Sequence, residues 1–277
     1  MRVIRADVLG FCRGVRRAVE MVEATAARCE TVYSLGPIVH NEQVIASLAS
    51  ACVRTETSLD EVPDGATVVI TAHGAEAELL DRIARRGLRL VDATCPVVRR
   101  AQEAAAGWAA AGRTVIVCGR PSNPEVRGIL SRTRGRGTAT ESLNLDGASI
   151  VPPLALLAQT TADPVDFERF AETVRSRFGA GVVVSDTTCS ETARRYRAAR
   201  ELAARVDAMV VVGSRSSANT NRLADVCRVA KRPTFHIVFA DEVDELELAG
   251  FASIGLAAGA STPDAVIDEV FRRLERR

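Results

Sequence analysis

The sequence predicts an α/β protein: three pseudo-symmetric α/β units with parallel sheets, arranged around a central cavity. Apolar strand-like runs alternate with helical stretches along the chain, the pattern of parallel sheets covered on both faces. The order of those runs repeats three times. In every copy a cysteine stands 24 residues ahead of a glycine: Cys12 before Gly36, Cys95 before Gly119 and Cys189 before Gly213.

The first copy opens with a helix from Cys12 through Ala27, followed by a strand from Thr31 to the glycine at 36. A polar loop and a helix start at His40, and an apolar strand from Thr67 ends in small polar residues up to His73 and Gly74. A further helix leads to the strand Leu88–Asp92, which carries Cys95. The second copy repeats this order. Its parts are a helix Val97–Ala111, a strand from Thr114 to Gly119, a loop and helix from Asn123, a strand Leu154–Ala158 ending at Gln159, Thr160 and Thr161, and a strand Val182–Ser185 before Cys189. The third has a helix Glu191–Arg205, a strand Ala208–Gly213, a loop and helix from Ser217, and a strand from Ile254 to Ser261. Its closing helix, Pro263–Arg276, has no strand after it, and residues 2–9 supply the missing one. The expected division is therefore 1–12 as the strand completing the third unit, then 13–95, 96–188 and 189–277. Ligands of parallel sheets gather outside the carboxyl ends of the strands. The three cysteines, the glycine loops, and His73, Thr160 and Ser261 all fall there.

Composition narrows the function. Thirty-six basic against thirty-five acidic residues leave a net charge of +1, which gives no electrostatic reason for a nucleic-acid or anionic-membrane partner. Lys231 is the single lysine and sits in a polar turn, so Schiff-base or pyridoxal chemistry is not expected. The segment Met1–Leu9 carries charges inside a strand pattern, unlike a secretory leader, and no apolar run has the length of a membrane span. The expected location is cytoplasmic. The seven cysteines would then be reduced, which favours metal or catalytic roles over disulfides.

Three thiolates meeting at one point suit a metal centre. Zinc would want a fourth ligand, and structural zinc sites draw on close cysteine pairs; here the spacings are 83 and 94 residues. A [4Fe–4S] cluster normally takes four cysteines. Held by Cys12, Cys95 and Cys189 alone, it keeps one open iron that acts as a Lewis acid. Reductive removal of an oxygen group is the logical chemistry. His40, His73, Asn123, Ser217, Asn219 and Ser261 offer donors suited to an anionic small molecule, and loop amides at helix starts add more. Glu125 is the best proton donor; its plainer reading is an acid in a helix first turn, stabilised by the dipole. Glu42 stands at the matching place in the first loop. Cys29, Cys52, Cys118 and Cys227 lack the sequence context of the other three and read as small core residues. His236 lies inside an apolar strand. Neither a Rossmann nor a P-loop glycine pattern is present.

These residues resemble the 4-hydroxy-3-methylbut-2-enyl diphosphate reductase family, the last step of the methylerythritol phosphate route to isoprenoids. The resemblance runs along nearly the whole chain. It rests on Gly10–Val15 around Cys12, Val39–Asn41, Ala72–Gly74, Asp92–Pro96, Asn123–Val126, Gln159–Thr161, Thr188–Cys189, Ser217–Leu223 and Ala258–Ser261. It implies a three-unit α/β assembly around a [4Fe–4S] cluster ligated by Cys12, Cys95 and Cys189. The implied reaction removes an allylic hydroxyl with two electrons and two protons, giving isopentenyl and dimethylallyl diphosphates. Glu125 would relay protons and Thr160 would hold the substrate hydroxyl. His40, His73, Ser217, Asn219 and Ser261 would bind the diphosphate or its hydrogen-bond network, with reduced ferredoxin or flavodoxin as electron donor.

Two positions depart from the family pattern: Asn123 replaces a histidine and Ala218 a serine. Asparagine still donates a hydrogen bond but carries no charge, and each loss is expected to cost about 1–3 kcal/mol of ligand binding. These departures keep open a second reading, a paralogue with the same cluster and reductive dehydroxylation acting on a different alcohol of secondary metabolism. A third reading is a non-enzymatic iron–sulfur sensor or zinc-stabilised module. Glu125 and Thr160 argue against it, because a sensor needs neither.

Overall fold

The computed structural model describes residues 1–142 and 150–277. It contains three parallel four-stranded sheets with helices between the strands, so the α/β class with three parallel-sheet units read from the repeat is the fold observed. The chain divides into two compact units. One comprises Met1–Arg16, Val39–Ser47 and Ser190–Arg277; the other comprises Arg17–Ile38 and Leu48–Cys189.

The first unit holds one sheet. Its strands are β1 (Arg2–Arg5), β10 (Ala208–Val212), β11 (Thr234–Ile237) and β12 (Ser253–Ala258), in the order β1-β12-β10-β11. The N-terminal strand pairs with β12 in the register Arg2 to Ser253 through Arg5 to Leu256. Helices α7 (Ser190–Ala203), α8 (Ala218–Val229) and α9 (Asp264–Glu275) cover it. The period-two alternation of β10 explains why its sequence is apolar throughout. Ala208, Val210 and Val212 pack with Ile267, Val270 and Leu274 of α9. Met209 and Val211 face the other way, onto Leu202 of α7 and Leu223 and Cys227 of α8.

The second unit holds two sheets. One, ordered β3-β2-β4-β5, is built from β2 (Val32–Leu35), β3 (Val53–Glu56), β4 (Thr67–Ile70) and β5 (Arg89–Asp92). The other, ordered β7-β6-β8-β9, is built from β6 (Thr114–Cys118), β7 (Gly137–Thr140), β8 (Leu154–Ala158) and β9 (Val183–Ser185). Helices α3 (Ala77–Arg85), α4 (Pro96–Ala110), α5 (Pro124–Leu130) and α6 (Pro164–Phe178) lie in this unit, while α1 (Arg13–Ala26) and α2 (Glu42–Ser50) run across the division. Strand β8 repeats the logic of β10. Leu154, Leu156 and Ala158 meet Phe167, Phe170 and Val174 of α6. Leu157 meets Ala101 and Ala105 of α4 and Val126 and Ile129 of α5.

In each sheet the strand order reverses once: between β2 and β4, between β6 and β8, and between β10 and β12. Such a reversal opens a crevice at the strand carboxyl ends, and the glycine loops and the polar strand ends lie there. The sequence pattern gives no sign of β3 or β7. Both are short edge strands, and Val53–Glu56 and Gly137–Thr140 contain no apolar run. Two of the cysteines expected in the core are also elsewhere. Cys52 is exposed in a turn with φ +61°, and Cys29 is half-buried in a turn after α1. Only Cys227 is fully buried, among Met209, Leu223 and their neighbours.

Gly213, with φ +145°, ends β10 where no side chain fits. A Cβ there would stand 2.8 Å from Thr262 Oγ1 and 2.9 Å from Thr220 Oγ1, and both threonines are fully buried. Gly250, with φ +94°, has open space around it. Gly213→Ala is therefore expected to lose about 2–4 kcal/mol, from overpacking plus backbone strain, and Gly250→Ala about 1 kcal/mol, from strain alone. Urea unfolding midpoints of the two variants check this, and equal shifts would count against the packing argument.

Candidate active site

The three cysteines of the repeat make the same backbone bond, each to the second residue past the end of a strand. Cys12 N–H donates to the Ala260 carbonyl at 3.1 Å, Cys95 N–H to Ala72 at 3.0 Å, and Cys189 N–H to Thr160 at 2.9 Å. For Cys95 and Cys189 the bond continues the ladders of β5 with β4 and of β9 with β8, whereas Cys12 stands well past β1 and out of its register with β12. Each cysteine then opens a helix: α1, α4 and α7. All three are half-buried. Helix-start amides reach sulfur in two cases: Val15 N–H points at Cys12 Sγ at 3.4 Å, and the N–H groups of Val97 and Val98 reach the Cys95 thiol. Burial pushes the Cys95 thiol above its ordinary range, those amides pull it back, and Cys189 and Glu125 raise it again through their charge. Cys189 and Glu125 are thus both within electrostatic reach of Cys95 in the second unit. Among the described residues, no group of three His, Cys, Asp or Glu side chains is drawn together tightly enough to hold a single metal ion.

Glu125 is the most perturbed acid of the site. It is 3 % exposed and lies in the first turn of α5. Asn123 caps that helix, its Oδ1 accepting the Glu125 N–H at 2.9 Å. The Thr160 N–H donates to Glu125 Oε1 at 2.6 Å, and Thr160 Oγ1 lies 3.0 Å from Glu125 Oε2. Burial pushes this carboxyl up to about 7, against the pull of the Thr160 backbone and hydroxyl bonds. The two bonds are not equivalent. The amide can only donate, so Oε1 remains an acceptor, and a proton on the carboxyl sits on Oε2, facing the threonine oxygen. The pair can pass a proton: Oε2–H gives to Thr160 Oγ1, and Thr160 gives its own onward. Glu125 and Thr160 flank the reversal between β6 and β8. His73 lies at the end of the β4 turn, Nδ1 at 3.4 Å from Thr71 Oγ1.

The first unit gathers the remaining expected residues. Ser261 Oγ donates to the His40 carbonyl at 2.9 Å, one residue from the carbonyl that anchors Cys12. Burial holds the His40 imidazole below the ordinary histidine range, with the nearby Glu42 carboxylate pushing the other way. Ser217 caps α8 by accepting the Thr220 N–H at 3.3 Å. Asn219, in the first turn, is 6 % exposed, and both its Oδ1 and its Nδ2 are buried without a hydrogen-bond partner. A buried amide with both ends unmet costs stability, so it fits a ligand that offers an acceptor and a donor. Ala218, the first residue of α8, brings no polar group.

Sequence reasoning missed Arg195. This buried guanidinium of α7 donates to the carbonyls of Ala258 at 2.7 Å and Gly10 at 2.8 Å, clamping the loop that leads to Cys12. The signal was available: Thr192, Arg195, Ala199 and Leu202 share one helix face, and an arginine on a core face is out of place. His236, by contrast, has a structural role, its Nε2 lying 2.8 Å from the Gly213 carbonyl.

A buried, proton-holding carboxyl at the crevice of a doubly covered parallel sheet marks an α/β enzyme with acid–base chemistry at its strand ends. The family model described as LytB protein matches residues 3–275, and the chain belongs to that family. It is 42% identical to 4-hydroxy-3-methylbut-2-enyl diphosphate reductase of Solidesulfovibrio magneticus, over 99% of each chain. It is 40% identical to the enzyme of that name from Dehalococcoides mccartyi, over 100% of this chain and 98% of the relative. Among solved structures, the E-1-hydroxy-2-methyl-but-2-enyl-4-diphosphate reductase of Plasmodium falciparum superposes with a TM-score of 0.94 at 25% identity, covering 100% of this chain and 88% of the other.

Proposed function

We propose that this chain is a 4-hydroxy-3-methylbut-2-enyl diphosphate reductase that holds a [4Fe–4S] cluster through Cys12, Cys95 and Cys189. The observation that carries the reading is the buried Glu125–Thr160 pair, whose threonine carbonyl anchors Cys189. Full-length similarity to relatives of that name supports it over a paralogue with another alcohol as substrate. The thiols suit the cluster chemically: soft sulfur ligands at helix starts, with amides aimed at Cys12 and Cys95, stabilise an anionic centre. When bound, the cluster supplies electrons one at a time and a Lewis-acidic iron, and a ferredoxin or flavodoxin replenishes them.

The protein's residues handle protons and position the substrate. The reaction breaks the allylic C–O bond; the hydroxyl takes one proton and leaves as water, and the carbon skeleton takes two electrons and a second proton. Glu125 is the proton store, since a carboxyl with a pKa of about 7 is half protonated near neutral pH. Its proton moves from Oε2 to Thr160 Oγ1, and the threonine hydroxyl donates to the substrate oxygen. Ser217, Ser261, His40, His73 and the Asn219 amide bind the diphosphate or its network. Asn123 takes the place of a cationic contact with a neutral one, and its side-chain oxygen is engaged with Glu125.

Anaerobic turnover of the reconstituted, reduced protein on the hydroxymethylbutenyl diphosphate, beside Asn123→His, is the test. Wild type is expected to turn over, and the histidine variant to lower KM about tenfold, the worth of one charge-assisted contact. A loaded cluster with no turnover in either protein would sink the assignment in favour of another alcohol.

A further inference from the structure

Glu42 has no part in the chemistry above, yet its surroundings are specific. The segment at the start of α2 is tied to the carboxyl end of the β1-β12-β10-β11 sheet at three places. Ser261 Oγ donates to the His40 carbonyl at 2.9 Å, Gln43 Nε2 to the Val238 carbonyl at 2.9 Å, and Ser214 Oγ to Glu42 Oε1 at 2.7 Å. The last bond fixes a direction. A serine hydroxyl has one proton, and Ser214 gives its own to the carboxylate. The 2.8 Å contact between Ser214 Oγ and Ser216 Oγ must then carry the Ser216 proton toward Ser214. Ser214 Oγ also accepts the Ser216 N–H at 3.1 Å, which closes the turn. One residue on, Ser217 Oγ accepts from Thr220 N–H, so its proton is left for an outside acceptor. Asn219, with both ends of its amide unmet, follows in the same turn of helix.

We propose that Glu42 is a positioning residue for an anion-binding turn, holding Ser214–Ser217 in the shape that presents the Ser217 hydroxyl and the Asn219 amide to a diphosphate. The inference rests on the diphosphate reading above and deepens it. Ser214 is fully buried while Glu42 is exposed. One carboxylate oxygen therefore satisfies a hydroxyl that has lost water, and the charge itself stays solvated and screened. Glu42 also works against the burial that disfavours an imidazolium at His40. In the second repeat the matching acid, Glu125, takes the hydroxyl of Thr160. The same loop position thus serves proton transfer in one copy and loop positioning in the other.

Anaerobic calorimetry of the cluster-loaded protein with inorganic pyrophosphate tests this in Glu42→Ala, Glu42→Gln, Ser214→Ala and the Glu42→Ala/Ser214→Ala double variant. Glu42→Ala should weaken pyrophosphate about tenfold. Ser214→Ala, which also loses both Ser216 bonds, should weaken it at least as much, and the double variant no more than Ser214→Ala, since the Glu42 bond is already gone. Glu42→Gln, whose amide oxygen still accepts the Ser214 proton, should stay within about threefold of wild type. The substrate KM should rise in step while kcat holds. Unchanged affinity in Glu42→Ala, or tighter binding in both Glu42 variants, would overturn the proposal, the second result meaning that the carboxylate only repels the anion. Wild type that fails to bind pyrophosphate would overturn the diphosphate reading and this inference together. If Glu42→Ala does not fold, Glu42→Leu, which offers no acceptor, against Glu42→Gln decides: weakening in the first alone supports the role, and none in either removes it.

Discussion

Glu125→Gln is expected to lower kcat by about 10²–10⁴-fold, the usual worth of a positioned proton donor, and to stabilise the folded protein above neutral pH. The two effects share a cause. The amide keeps both Thr160 bonds, its oxygen accepting the backbone N–H and its nitrogen donating to Oγ1, but it has no proton to release. Binding is carried by other residues, so KM should change far less than kcat. A variant that retained turnover within about threefold of wild type would remove Glu125 from the proton path.

The stability effect has a defined sign. The folded pKa is raised from 4.5 to about 7 by burial, so between those values the native state holds a proton that the unfolded chain has lost. Stability from this group is therefore greatest below pH 4.5, falls as pH rises through the window, and is at its lowest above 7. The full difference is on the order of 3 kcal/mol. Glutamine carries no such dependence. Urea midpoints of wild type and variant should lie close together at pH 5 and separate by pH 8, with the variant higher. Parallel curves across that range would mean that the carboxyl is not buried as described.

The repeat was legible because each part of it is local. A cysteine, a helix, a strand and a glycine follow one another within 24 residues, and strands buried on both faces, such as Ala208–Val212, stand out as apolar runs. The edge strands were not legible, since Val53–Glu56 packs little of itself and is held mainly by its ladder to β2. Glu125 was legible as a candidate but not as a perturbed acid. From the sequence it is an ordinary first-turn carboxylate; its partner Thr160 stands 35 residues further on, and only the pairing of β6 with β8 brings the two together. Arg195 was hidden by abundance, one arginine in a helix crowded with them. Asn123 was read as a lost charge, and the structure adds its cap on the helix that carries Glu125.

Serine substitutions should sort five of the cysteines into two groups. Cys12→Ser, Cys95→Ser and Cys189→Ser are each expected to lose the brown cluster absorption and bound iron after anaerobic reconstitution, and activity by at least about 10³-fold, because a hydroxyl is a poor ligand for iron beside sulfide. Cys118→Ser and Cys227→Ser should keep the cluster. Burial pushes the Cys118 thiol to about 11 and the Cys227 thiol to about 12, and neither stands at a helix start whose amides could stabilise a thiolate. Cys227→Ser instead places a hydroxyl among Met209, Leu223 and Val211, which should cost about 1–3 kcal/mol of stability. The contrast separates ligand from packing: one group loses iron at nearly unchanged melting temperature of the cluster-free protein, the other loses melting temperature at unchanged iron. Iron retained in Cys95→Ser, or zinc in place of iron in protein purified without oxygen, would remove the three-cysteine assignment. Burial alone could not have made this division, since Cys12, Cys95, Cys118 and Cys189 are all half-buried. What distinguishes Cys12 and Cys95 from Cys118 is a helix start that turns its amides toward the sulfur.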